Sequence, residues 1–268
     1  MSSRLLAALA DRPLLLDGGM GTRLIARGLD LTADDPALWN LSRPEIVRDV
    51  HARDIAAGSD VLLTNTFGAN AAWLARLGRA GEMVAINRTA VALASEAAGP
   101  DRFVLGSIGP TAGELARDQA EILAESGVDG LILETHRSDD ALARLGELRR
   151  DLDLPILVGL FAFHEPIAEA GRRLADAGAD VVGINCIPPE WAPQWIEDLW
   201  QAIPTVPLLC KPSAAHPDWP PIPPAALAAG VPALLRHGVR LLGGCCGATE
   251  AHVAALRSAL DRAAARGL

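Results

Sequence analysis

The chain has 268 residues, half of them hydrophobic and 21% charged, with a formal net charge of −9 at pH 7. Such a composition excludes a disordered chain. Acids and bases are interspersed with no basic run, which argues against a nucleic-acid partner or an anionic membrane surface.

No apolar run approaches the ~20 residues of a membrane helix. The six apolar residues between Arg4 and Asp11 are too short for a signal-peptide core. Four cysteines, two of them adjacent, make no disulfide framework. A cytoplasmic protein with reduced thiols is therefore expected.

In chain order, eight short apolar runs appear: Leu14–Asp17, Val61–Asn65, Phe103–Ile108, Gly130–Glu134, Ile156–Phe163, Val181–Cys186, Leu208–Lys211 and Leu241–Cys245. They do not alternate with polar residues, as expected of strands buried on both faces. Helical patterns lie between them, such as Leu142, Leu145, Leu148 and Leu152, then Ile167, Ala170, Leu174 and Ala177, then Val253, Leu256, Leu260 and Ala264. Ser42 with Glu45 reads as a capping box. Pro217–Pro224 reads as an ordered loop. Gly58, Gly127, Gly178 and Gly238 precede the second, fourth, sixth and eighth runs, as helix-ending glycines would. Eight strand–helix units with this two-unit rhythm predict an α/β protein, a single-domain (βα)8 TIM barrel over residues 1–268. An open doubly wound sheet is the alternative.

In such a barrel the active site lies at the C-terminal ends of the strands. Asp17, Thr64-Asn65-Thr66, Ser107, Glu134-Thr135, Asn185-Cys186 and Cys245-Cys246 all close apolar runs there. Burying polar groups at such ends is costly unless they meet a ligand or metal. Cys186, Cys245 and Cys246 would converge on one rim, and three thiolates with one open position make a catalytic zinc site. Both adjacent thiols can face one centre only if the strand breaks at the flanking glycines. The plainer reading is three small buried hydrophobes. Cys210 is either a fourth ligand or a buried spectator. Asp17 and Glu134 could hold a substrate ammonium, or cap the following helices. His164 has a weak claim to function beside that of a first-turn helix residue.

Together Leu15-Leu16-Asp17-Gly18-Gly19-Met20-Gly21-Thr22, Thr64-Asn65-Thr66-Phe67-Gly68-Ala69-Asn70, Gly106-Ser107-Ile108-Gly109-Pro110, Glu134-Thr135, Gly183-Ile184-Asn185-Cys186 and Gly243-Gly244-Cys245-Cys246-Gly247-Ala248-Thr249 resemble the homocysteine S-methyltransferase family. That family includes the homocysteine domain of cobalamin-dependent methionine synthase and betaine–homocysteine methyltransferase. The resemblance implies a (βα)8 barrel carrying Zn2+ on Cys186, Cys245 and Cys246. It implies that Asp17, Gly18 and Glu134 surround the amino-acid part of homocysteine, with Asn65, Thr66 and Ser107 also in the substrate site. The implied reaction moves a methyl group to the homocysteine thiolate and forms methionine.

The donor stays open between S-methylmethionine, S-adenosylmethionine, betaine and a methylcorrinoid protein. The segment from Pro110 to Glu134 is shorter than usual in the family, and the chain has no tyrosine to hold a methyl donor. Lys211-Pro212-Ser213-Ala214-Ala215 resembles the Lys-Pro-Asn-Ala-Gly of methionine synthase domains. This favours a homocysteine-activating subunit of a split corrinoid system. A non-catalytic zinc- or thiol-binding barrel is the alternative from another class. A phosphate cradle at Gly243-Gly244 is a third, disfavoured by the cysteines that follow.

Overall fold

A computed structural model of the chain describes residues 3–111, 115–162 and 165–267, so His164 lies outside the described residues. The strands are β1 (Leu14–Leu15), β2 (Val61–Leu63), β3 (Phe103–Ile108), β4 (Gly130–Arg137), β5 (Ile156–Ala162), β6 (Val181–Asn185), β7 (Leu208–Lys211) and β8 (Val239–Leu242). All pairings are parallel: from β2 to β8 each strand pairs with the next in the chain, and β8 returns to pair with β1. A doubly wound sheet reverses its strand order and leaves two edges; this sheet does neither. Its remaining seam, between β1 and β2, is closed by a single bridge from Leu16 to Val61. Asp60 reinforces it: its amide donates to the Leu15 carbonyl at 2.7 Å, and its carboxylate accepts from the Leu15 amide at 2.9 Å. The architecture is thus the expected (βα)8 barrel.

Alternate residues of each strand go to different cores. Leu14, Leu16, Val61, Leu63, Phe103 and Leu105 pack together inside the barrel, while Leu15, Leu62 and Val104 face the helical layer. This is the two-residue period of a strand. The helix Arg4–Asp11 adds Leu5 and Leu9, both fully buried, to the inner cluster. It therefore plugs the N-terminal mouth of the barrel, and Arg240 fixes it by donating to the Leu9 and Ala10 carbonyls, each at 2.8 Å. The sequence reading did not anticipate this plug.

The four helix-ending glycines take φ of +104° (Gly58), +90° (Gly127), +94° (Gly178) and +74° (Gly238), which a Cβ would disfavour. Two expectations are corrected. Ser42 does not open a capping box: it ends the short helix Trp39–Ser42, and its hydroxyl donates to the Leu38 carbonyl at 3.1 Å. Pro44 takes the first position of the next helix, Pro44–Ala56, so Arg43 is its N-cap. In the last helix, Glu250–Ala264, Ala263 is buried and Ala264 exposed. Pro217–Pro224 is ordered: the Ile222 amide donates to the Ala214 carbonyl at 2.7 Å, and Trp219 stacks on His216 with ring centroids 5.7 Å apart. Among the described residues no helix is long and apolar enough to cross a membrane.

Candidate active site

Several strands, β6 among them, end earlier than their apolar runs. β1 stops at Leu15, β2 at Leu63 and β8 at Leu242, so Asp17, Thr64–Thr66 and Cys245–Cys246 stand just beyond regular pairing. Chain released from the ladder can turn both adjacent cysteines toward one centre. The β7–β8 loops lock that turn: the Cys245 amide donates to the Pro212 carbonyl at 2.8 Å, and the Cys246 carbonyl accepts from Ala214 at 2.7 Å. Gly247 follows with φ +77°, and a Cβ there would meet the Ala215 backbone nitrogen at 2.6 Å. Cys186, just past β6, adopts φ +58°, a costly value for a non-glycine residue, and its amide donates to the Lys211 carbonyl at 3.0 Å.

The three Sγ atoms consequently lie within 4.8 Å of one another, with Cys186 and Cys246 at 3.5 Å. Sulfurs bound to one tetrahedral zinc at about 2.3 Å stand about 3.8 Å apart, so the spacing fits such an ion. Soft sulfur donors in general suit thiophilic ions such as zinc better than magnesium or calcium. Sulfur contacts act on these thiols in both directions; with burial the net effect pushes Cys186 and Cys246 up to about 11 and Cys245 to about 12. Three proximate thiols that resist ionising separately are the arrangement a divalent cation relieves. Cys210, fully buried in the apolar core, is outside the cluster and is the spectator.

The cluster forms one wall of a pocket of about 250 Å³ whose other walls include Asp17, Gly18, Asn65, Thr66, Ser107, Glu134 and Lys211. Every residue assigned to the site from sequence therefore borders the same space. Glu134 accepts from the Ser107 hydroxyl at 2.6 Å through Oε2 and from the Lys211 ammonium at 2.8 Å through Oε1. Asp17 accepts from the Leu63 amide at 2.8 Å through Oδ2, while its buried Oδ1 has no partner among the described residues. Burial raises the Asp17 carboxyl to about 7, with Lys211 opposing and Asp54 adding to the rise. Burial works against the Lys211 charge, but Glu134, then Cys245 and Asp17, outweigh it and hold the ammonium above its usual range.

Asn65 and Thr66 border the pocket with their polar groups already engaged. The Asn65 amide donates to the Pro36 carbonyl at 2.6 Å and to Asn40 at 3.1 Å. The Thr66 hydroxyl donates to the Ser107 carbonyl at 2.7 Å.

Sequence reasoning missed a supporting layer. Asn185 accepts from the Thr135 amide and donates to the Thr135 hydroxyl, both at 2.9 Å, which fixes the irregularity in β4 just after Glu134, where Thr135 has φ +61°. Beneath the Asp17–Gly19 turn, Arg23 and Asp54 form a buried two-pronged ion pair at 2.7 and 2.5 Å. Glycine is required in that turn, because a Cβ on Gly19 would meet the Cys245 carbonyl oxygen at 2.4 Å. Lys211 was seen only as part of a motif; its partner Glu134 lies 77 positions away, a separation no local pattern reveals.

Comparison with known proteins agrees with this geometry. The chain is 30% identical to the homocysteine S-methyltransferase of Escherichia coli, over 94% of this chain and 97% of that protein. It is 28% identical to the methionine synthase of Mycobacterium tuberculosis over 96% of its own length, yet it spans only about a quarter of that protein. The crystal structure of the E. coli homocysteine methyltransferase MmuM in its metallated form superposes with a TM-score of 0.80 at 28% identity, covering 94% of this chain and 99% of that one. The model of the family described as homocysteine S-methyltransferase matches residues 14–260, and the chain belongs to that family.

Proposed function

We propose that this chain is a zinc-dependent S-methyltransferase that converts homocysteine to methionine. The observation that carries the reading is a three-cysteine cluster lining a pocket that Asp17 also lines, with the Asp17 Oδ1 oxygen unpartnered among the described residues. Zinc held by Cys186, Cys245 and Cys246 supplies Lewis acidity, which lowers the pKa of a substrate thiol and keeps its sulfur nucleophilic at neutral pH.

The chain's own residues do the rest. Asp17 Oδ1 receives the substrate ammonium, and Glu134, held by Ser107 and Lys211, faces the same space. Ser213 steadies Cys186 with a hydroxyl contact to Sγ at 3.8 Å. The carboxylate wall and the cysteine wall together hold the acceptor sulfur at one end of the pocket, so the methyl carbon is attacked from a fixed direction. The sulfur–carbon bond forms as the donor's bond to that methyl breaks; the thiol proton leaves to water through the pocket mouth.

The donor distinguishes two versions. Small onium donors suit a free-standing enzyme. A methylcorrinoid protein suits a subunit of a split system, a version supported by the match to one quarter of methionine synthase and by exposed Phe161, near the C-terminal end of β5, and exposed Trp191, in the segment after β6. The test incubates zinc-loaded protein with homocysteine and each of S-methylmethionine, S-adenosylmethionine, betaine and a methylcobalamin protein, reading methionine formed. Cys245→Ser should lose both zinc and turnover; one equivalent of retained zinc with normal methylation would overturn the ligand assignment.

A further inference from the structure

Among the described residues only two that are not glycine have positive φ, Thr135 at +61° and Cys186 at +58°. Backbone held in that region is strained and persists only where its surroundings fix it. Both residues border the pocket: Thr135 follows Glu134 on β4, and Cys186 belongs to the cysteine cluster beyond β6.

One side chain joins them. Asn185, fully buried at the end of β6, directly precedes Cys186. Its amide group reaches over β5 to β4, where Oδ1 accepts from the Thr135 amide and Nδ2 donates to the Thr135 hydroxyl, both at 2.9 Å. The crossing needs Gly159 on β5, because a Cβ there would meet Asn185 Oδ1 at 2.6 Å. The Thr135 amide lies between Leu133 and His136, where the β4–β5 register shifts, so the Asn185 side chain stands in for the ladder. On its other side Asn185 pairs with Lys211 of β7, and the Cys186 amide donates to the Lys211 carbonyl at 3.0 Å. With its backbone and both ends of its side chain committed, Asn185 leaves the Glu134–Thr135 segment and the Cys186 turn little freedom to move independently.

We propose, resting on the zinc-site reading above, that Asn185 is a positioning residue that couples the carboxylate wall to the metal, setting Cys186 for the ion only while it grips Thr135. Neither Asn185 nor Thr135 is a ligand in this reading. An effect of Thr135 on metal affinity therefore has to pass through the Asn185 clamp, and by linkage the metal acts back on Thr135 to the same extent.

The experiment titrates metal-free protein with cobalt(II) in competition with a chelator, without thiol substrate or methyl donor. It reads the affinity and the visible ligand-field bands of the bound ion. Thr135→Ala should weaken cobalt by about threefold to tenfold, the worth of one hydrogen bond, and shift those bands. Thr135→Ser keeps the hydroxyl and should match the unsubstituted protein. Asn185→Leu should weaken cobalt by about tenfold to a hundredfold, and Thr135→Ala should then have no further effect. Zinc loading should slow exchange of the Thr135 amide in the unsubstituted protein. Cobalt binding indifferent to Thr135→Ala, substitutions whose effects simply add, or a Thr135 amide indifferent to zinc would overturn the clamp and leave the methyltransferase reading intact. Should Asn185→Leu not fold, the Thr135→Ala and Thr135→Ser pair decides alone. Unsubstituted protein that takes up neither cobalt nor zinc would remove both.

Discussion

The two oxygens of Asp17 have different work. Oδ2 is committed to the Leu63 amide, and Oδ1 is open. With its carboxyl raised to about 7 by burial, Asp17 takes up a proton as pH falls through neutrality. An ammonium at Oδ1 favours the ionised form, so binding below that value expels a proton from Asp17 and affinity falls as pH drops through it. The substrate thiol also loses a proton, so the Asp17 contribution is read as the difference between the unsubstituted protein and Asp17→Asn. Titrations in two buffers of different ionisation enthalpy should show fewer protons released by the variant. An identical proton count would assign the ammonium elsewhere.

His51 shows the same physics on the stability side. It is fully buried, neither ring nitrogen has a partner among the described residues, and burial with the nearby Arg23 charge lowers it to about 3. A folded pKa below the unfolded value of about 6.5 means the unfolded chain takes the proton first, so stability is lost as pH falls from 6.5 toward 3. Asp17 acts in the opposite sense. Replacing His51 by Leu should flatten the acid limb by on the order of a few kcal/mol between pH 7 and 4.5, measured by urea unfolding. A limb of unchanged slope would mean that His51 titrates normally.

Elements show where reading a sequence succeeds and where it stops. The apolar runs and the four capping glycines were legible because strand burial and positive φ each select residue types locally. Where β1 stops was not legible, because Leu16, just past it, is as apolar as Leu14 and Leu15, which pair. The convergence of the cysteines was legible as a requirement for a broken strand; the lock that breaks it, from Pro212 and Ala214, is a contact between loops. The role of Ser42 was misread because Pro44 outcompetes it for the helix start.

Close packing between strands is equally invisible in sequence. Gly183 on β6 faces the Leu209 carbonyl of β7, which would lie 1.8 Å from an added Cβ. Gly183→Ala should cost about 3 kcal/mol or more, since backbone must move. Gly146, in the helix Ser138–Leu148, has nothing within 4 Å of that position. Gly146→Ala should stabilise by about 0.5–1 kcal/mol, and chemical denaturation of the pair checks both signs.

At the scale of the whole molecule, the barrel has one apolar end, filled by Leu5 and Leu9, and one reactive end. Its circumference is uneven. β3, β4, β5 and β6 pair over three or more residues, whereas β1 and β2 meet at one bridge. Amides at that junction should exchange with solvent sooner than Leu131 between β4 and β5. In Asp17→Ala the Leu63 amide loses its acceptor, and its exchange should accelerate selectively. Uniform acceleration throughout the barrel would signal global destabilisation instead.

The same acid therefore fastens the hoop at its weakest stave and, in the proposed reading, greets the guest. Each arrival and departure would then tug on a clasp that can give, while the other staves hold their shape around the sulfurs.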